Sequence, residues 1–167
     1  MDLSDNKLTA VDPALLGAWD SLERLVLNQN KIAALPETVG AMAALSILEL
    51  HWNALETLPE AIGNARALTE LNLSLNQLAD LPGPALASLP NLATLNLKRN
   101  KLGGTLPPEL SASPSLRVLN VRLNSGLEIP AQFDHVGFKF MADGPQDGGG
   151  RRAAGGGRKK AATRRER

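Results

Sequence analysis

Cysteine and tyrosine are both absent from the 167 residues, and aromatics of all kinds make up only 3%. Without Cys there is no disulfide framework, no thiolate metal site and no Cys nucleophile. With only His51 and His135 available, no His-based metal cluster can be assembled, and no cofactor is expected. No apolar run approaches the ~18 residues of a membrane span, so none is expected. The N-terminal stretch MDLSDNKLTA lacks the basic and apolar blocks of a secretory signal. Net charge is scarce as well, since 18 Lys+Arg against 17 Asp+Glu leave +1, a balance that proves to be a cancellation. Apolar residues still reach 43%, and a core poor in rings must be filled by aliphatic side chains, chiefly Leu. The length suits one domain with a tail.

A repeat occupies most of the chain. Asn6, Asn30, Asn53, Asn76, Asn100 and Asn124 recur at spacings of 24, 23, 23, 24 and 24. LERLVLNQNKI (22–32), LSILELHWNAL (45–55), LTELNLSLNQL (68–78) and LATLNLKRNKL (92–102) all read LxxLxLxxNxL. LRVLNVRLNSG (116–126) keeps the frame except for Gly126 at its last apolar position, and MDLSDNKL supplies the second half of a copy. The LxL segment alternates with period two, so it reads as a short strand with Leu on one face and variable residues on the other. One copy cannot bury its Leu face alone; stacked copies make a continuous core. Each Asn stands where the chain leaves the strand, and its amide can satisfy backbone groups that the turn leaves unpaired. Pro after Leu35, Leu58 and Leu81 fixes φ on the return side, where no ladder N–H is needed.

These residues resemble the leucine-rich repeat family over residues 1 to about 141. LPETV, LPEAI and IPAQF are similar to the 23-residue intracellular type. LTAVDPALLGAW (8–19) and LADLPGPALASL (78–89) resemble the 24-residue type, and LGGTLPPEL (102–110) the plant-specific form. The segment IPAQFDHVGFKFM loosely resembles the closing part of cytosolic Ras-associated leucine-rich repeat scaffolds. The resemblance implies an α/β repeat solenoid: a short arc with a parallel concave sheet of about six short strands and an irregular, 3-10 or helical convex side. It implies a non-catalytic module that binds a protein partner through the concave face, in the cytoplasm. Phe133, Phe138, Phe140 and Met141 are expected to cap the open C-terminal end of the core, and Met1–Leu3 to form an exposed edge strand.

Leu, Asn and Pro at the repeating positions are architecture, so function belongs to the variable positions between them. The central outward column reads Asp2, Val26, Glu49, Asn72, Asn96, Asn120, and the next Ser4, Asn28, His51, Ser74, Lys98, Arg122. At the strand exit stand Asp5, Gln29, Trp52, Leu75, Arg99 and Leu123. Trp52, with His51 beside it and Leu75 on the next strand, has the character of a binding anchor. Glu49 and Glu70 sit in the middle of the arc, whereas Lys98, Arg99, Lys101, Arg117 and Arg122 cluster in the last two repeats and suit an acidic or phosphate-bearing surface. Glu49 and His51 share a strand face, so an acid–base pair is geometrically conceivable. No third orienting group stands at a recognisable spacing and a short open arc offers no enclosed pocket, so an enzyme is not expected.

Residues 142–167 change character abruptly. They hold no apolar side chain larger than Ala, and a disordered tail is expected. Arg151, Arg152, Arg158, Lys159, Lys160, Arg164, Arg165 and Arg167 face three acids, a net +5; residues 1–141 hold ten basic and fourteen acidic residues, a net −4. The basic blocks permit nuclear import, contact with a nucleic-acid phosphate backbone, or contact with an anionic membrane surface. Their GGG runs lack phosphate-loop spacing, and no aromatic residue is interleaved for base stacking. A nuclear or nucleic-acid-associated protein is therefore one alternative reading, and a fragment of a larger leucine-rich repeat receptor or scaffold is another.

Overall fold

The computed structural model describes residues 1–143, and the basic cluster expected in residues 151–167 lies outside them. Five LxL segments become three-residue strands: β1 (Arg24–Val26), β2 (Ile47–Glu49), β3 (Glu70–Asn72), β4 (Thr94–Asn96) and β6 (Val118–Asn120). They pair in parallel and in register, so that Leu25, Leu48, Leu71, Leu95 and Leu119 form one row pointing into the core. The sixth strand of the sheet comes from the C-terminal segment. β8 (Lys139–Met141) lies beside β6 with Phe140 level with Leu119. The expected N-terminal strand is reduced to an isolated bridge between Asp2 and Val26.

The core is almost wholly aliphatic. Leu, Ile and Val fill it from Val11 to Val121, and Phe133 is its one fully buried ring. Phe133 stacks on Phe140 with ring centroids 5.1 Å apart, and Phe138 packs against the same cluster, so the three Phe residues close the C-terminal end.

Return segments on the convex side differ between repeats, and the 24-residue repeat ending at Asn124 holds a 3-10 turn at Pro108–Ala112. The 24-residue repeats ending at Asn30 and Asn100 hold short α-helices, α1 (Pro13–Ala18) and α2 (Gly83–Ala87). The two 23-residue repeats hold 3-10 turns at Glu37–Ala41 and Glu60–Asn64, closed by i→i+3 hydrogen bonds. Pro36, Pro59, Pro107 and Pro130 stand immediately before 3-10 turns, and Pro82 before α2. In the last 24-residue repeat, LGGTL adds β5 (Gly104–Thr105), which pairs with β7 (Leu127–Glu128) as a separate two-stranded sheet that strand-period reading of the sequence did not reveal.

The recurring Asn residues join the repeats. The Asn76 amide nitrogen donates to the carbonyls of Leu50 (2.9 Å) and Leu73 (3.0 Å), and its oxygen accepts from the Leu55 N–H (3.0 Å). Asn100 does the same one level on, donating to Leu73 and Leu97 and accepting from Leu78. Asn30, Asn53 and Asn124 repeat the pattern. Just before each Asn the backbone turns left-handed, at Asp5, Gln29, Trp52, Leu75, Arg99 and Leu123, with φ between 54° and 60°. That conformation costs a non-Gly residue ~1–2 kcal/mol. None of the six is β-branched, the class for which it is least accessible.

Two substitutions probe this framework in urea titrations. Asn100→Ala removes two donors and one acceptor from a buried site and is expected to cost about 2–3 kcal/mol. Asn100→Asp keeps the acceptor but sets a carboxylate against two carbonyls. It should be worse than Ala at neutral pH and should recover as the carboxyl protonates; equal stability of the two variants at all pH values contradicts the ladder. On the convex side a Cβ at Gly40 would lie 2.3 Å from the Ala61 carbonyl oxygen, whereas one at Gly17 meets nothing within 4 Å. Gly40→Ala is expected to lower stability by about 1–3 kcal/mol. Gly17→Ala in α1 should be neutral or stabilising, and equal effects at the two sites would exclude close repeat packing as the cause.

Candidate functional site

The ordered strands set four outward columns across the concave face. The first, Arg24, Ile47, Glu70, Thr94, Val118 and Lys139, follows directly from the pairing register. The central column carries polar side chains that serve the backbone. Asn72, Asn96 and Asn120 accept from the N–H two residues on, at Ser74 (3.2 Å), Lys98 (3.2 Å) and Arg122 (3.3 Å). At the first level Asp2 accepts from the Ser4 N–H at 2.9 Å, and hydrogen bonds from the Ser4 side chain and backbone hold its carboxyl below the usual carboxylate range. The ladder explains these contacts: the carbonyl of Leu73 already takes the amides of Asn76 and Asn100, and the neighbouring Lys98 N–H turns to Asn96. Part of the column treated as free for recognition is therefore structural.

Glu49 and His51 do meet. His51 Nδ1 lies 3.3 Å from Glu49 Oε2, with both side chains largely covered. A third group also stands there, contrary to expectation from spacing. Asn72 on β3 places Nδ2 3.0 Å from Glu49 Oε2 and 3.2 Å from His51 Nδ1, and its Oδ1 accepts from the Ser74 hydroxyl at 2.9 Å. It escaped notice because it lies on the next strand, a repeat length away in sequence. The Ser74 hydroxyl donates to Asn72, so the arrangement is not a nucleophile–base pair, which needs the hydroxyl directed at the His. Beside it, Glu49, Glu70, Asn72, Thr94 and Asn96 line a shallow depression of about 110 Å³. Binding clefts for small molecules usually enclose several times that volume. Among the described residues no group of three His, Cys, Asp or Glu is placed to hold a metal.

Trp52 is 57% exposed, and its left-handed backbone turns it out of the strand line. Leu75 is half-buried at the same position of the next repeat, Arg99 is exposed, and Leu123 is 47% exposed. These residues form a ridge along the strand exits, at successive levels about 4.8 Å apart. The basic residues separate into groups. Lys98 and Arg122 share one column on adjacent levels, with Arg99 beside them. Arg122 is held by Asn120 Oδ1 (3.4 Å) and by Met141 Sδ (3.3 Å) of β8. Lys101 lies past the turn, donating to Gln77 Oε1 at 2.8 Å. Arg117 precedes β6 and points at the carbonyl of Leu116 (3.3 Å); roughly 16 Å of extended chain separates it from Arg122, so it does not join the cluster.

No helix among the described residues is long and apolar enough to cross a membrane. A comparison with curated proteins finds no significant match. Solved structures do match. A leucine-rich repeat protein of Leptospira interrogans is 28% identical with a TM-score of 0.71, over 83% of this chain and 35% of its own. The PEPR1–AtPEP1 structure is 32% identical with a TM-score of 0.71, over 84% of this chain and 20% of that one. The leucine-rich repeat ectodomain of the receptor kinase SOBIR1 from Arabidopsis thaliana is 27% identical with a TM-score of 0.67, over 78% of this chain and 72% of that one. The chain thus spans about a third or less of the first two. A family model described as leucine rich repeat matches residues 1–55 and 59–127. With the in-register Leu rows and the Asn ladder, that match assigns the chain to the leucine-rich repeat family.

Proposed function

We propose that the chain is a non-catalytic interaction module that binds a protein partner through its concave face and strand-exit ridge, in the cytoplasm. The exposure of Trp52 carries this reading. A Trp more than half open to solvent, held in a left-handed turn between His51 and Leu75, is a large apolar surface that a partner can cover. The leucine-rich repeat fold is generally a non-catalytic interaction scaffold, and PEPR1, similar over most of this chain, was solved together with AtPEP1. Glu49, His51 and Glu70 supply a polar floor beside Trp52, and Lys98, Arg99 and Arg122 a cationic end.

A second reading concerns residues 148–167, whose eight Arg and Lys residues face one acid. In it, the basic segment contacts nucleic-acid phosphate and places the protein in the nucleus.

Affinity purification of the intact chain followed by mass spectrometry, beside Trp52→Ala, tests the first reading. Trp52 does not belong to the buried core, so the variant should unfold within about 0.5 kcal/mol of the parent. Partner recovery should fall about tenfold or more; unchanged recovery from a folded variant would remove Trp52 as the anchor. Deleting residues 148–167 separates the two readings. Recovery of the protein partner is expected to persist, whereas loss of RNA retention or of nuclear accumulation on deletion favours the second.

A further inference from the structure

The ridge and the concave columns next to it have a polarity. Trp52, just past β2, stands at the level of Glu49, and Glu70 follows on β3 at the opposite edge of the concave face. Two levels beyond Trp52 come Lys98 and Arg99, and three levels beyond it Arg122 and Leu123. The acidic and basic groups are thus at different heights along the arc. Among the described residues Asp143 is the carboxylate tied to the ridge at the basic end, and it is engaged, accepting the Leu123 N–H at 2.6 Å.

We propose that the ligand of this surface is an extended polypeptide segment with an apolar side chain and, four residues away, an Asp or Glu. This deepens the interaction reading above and rests on it. The spacing comes from the sheet. Three levels at about 4.8 Å put Arg122 about 14 Å from Trp52 along the solenoid. An extended chain advances about 3.3 Å per residue with alternate side chains on one face, so residues four apart are about 13 Å apart and point the same way. An apolar side chain against Trp52 then puts the acid at Arg122, one level beyond Lys98. The same acid slid back to the Trp52 level would meet His51, whose Nδ1 already lies 3.3 Å from Glu49 Oε2, and at the Leu75 level Ser74; neither level has a Lys or Arg in that column, so charge holds the register. A helical ligand rises about 1.5 Å per residue and would need about nine or ten residues to cover the same distance, which predicts a different motif. Either chain direction satisfies the geometry.

Selection of a displayed library of random peptides about twelve residues long, extended enough to cross the sheet, tests this on the intact chain. The expected enrichment is an aliphatic or aromatic residue with Asp or Glu four positions away, in one chain direction or the other. The selected peptide and its acid-to-amide version are then titrated against the parent, Trp52→Ala and Lys98→Ala/Arg122→Ala by fluorescence anisotropy. The amide version should bind the parent about three- to fivefold more weakly and should bind the doubly substituted protein as well as the acid peptide does. Because the amide change leaves the protein untouched, this comparison stands even if the Arg122 substitution disturbs β8. Enriched peptides that depend on Trp52 but lack an acid at that spacing overturn this proposal and leave the interaction reading intact. Peptides with acids at helical spacing, or with acids whose replacement costs nothing, also overturn it. Failure to enrich any peptide that depends on Trp52 overturns both.

Discussion

Each buried Asn amide does three things at once, and the rest of the molecule is arranged around them. It holds the carbonyl of its own repeat, reaches the carbonyl of the repeat before, and receives an N–H from that earlier repeat. An unmet buried donor or acceptor costs ~1–3 kcal/mol, so no repeat can slide along its neighbour without losing several such bonds. The Leu rows alone would not impose this, because hydrophobic contact is non-directional and tolerates slippage. Register follows from the amides, and the outward columns follow from register.

The ladder also shapes the surface it hides beneath. To bring Asn inward, the preceding residue must adopt a left-handed backbone, which lifts its side chain out at the strand exit. The fold therefore builds a ridge whose backbone is dictated and whose side chains are almost free, β-branched residues excepted. Asp, Gln, Trp, Leu, Arg and Leu occupy it here. The concave column beneath is less free, since Asn72, Asn96 and Asn120 each answer a backbone N–H. Side chains that answer no backbone group are concentrated on the ridge and on the column of His51, Lys98 and Arg122.

Most of the scaffold was legible in the sequence because its period is fixed by stacking. The in-register core Leu row, the Asn at each turn and the Phe residues near 133–140 stand where the pattern puts them. Trp52 was legible for the same reason, one residue before its Asn. Misreadings arose where a linear pattern meets a short strand. Alternation sorts residues into inward and outward, but these strands are three residues long, and the chain bends at both ends. Lys101 and Arg117 lie beyond those bends, so counting them into one patch with Arg122 joined groups that the backbone separates. Asn72 was missed beside Glu49 and His51 because proximity between strands carries no sequence signal. The pairing of β5 with β7 depends on a short Gly-Thr segment with no alternation to announce it.

Apolar and charged groups on this surface contribute different things to binding. A Trp side chain buries about 150–250 Å² when covered. A little over half of Trp52 remains open, so covering it at ~25 cal/mol per Å² contributes about 2–3 kcal/mol before the costs of association. Lys98 and Arg122 work at the water boundary, where an ion pair is typically worth ~0–1 kcal/mol. In the proposed complex affinity would then come chiefly from Trp52 and Leu75, while the charges would decide where along the arc a segment rests. Such a division makes binding through the anchor nearly insensitive to salt and the choice of register strongly sensitive to it, because only the charges are screened. Placing both on strands locked by the Asn amides keeps the distance between anchor and charge constant, and a constant distance lets a flexible chain be read by spacing.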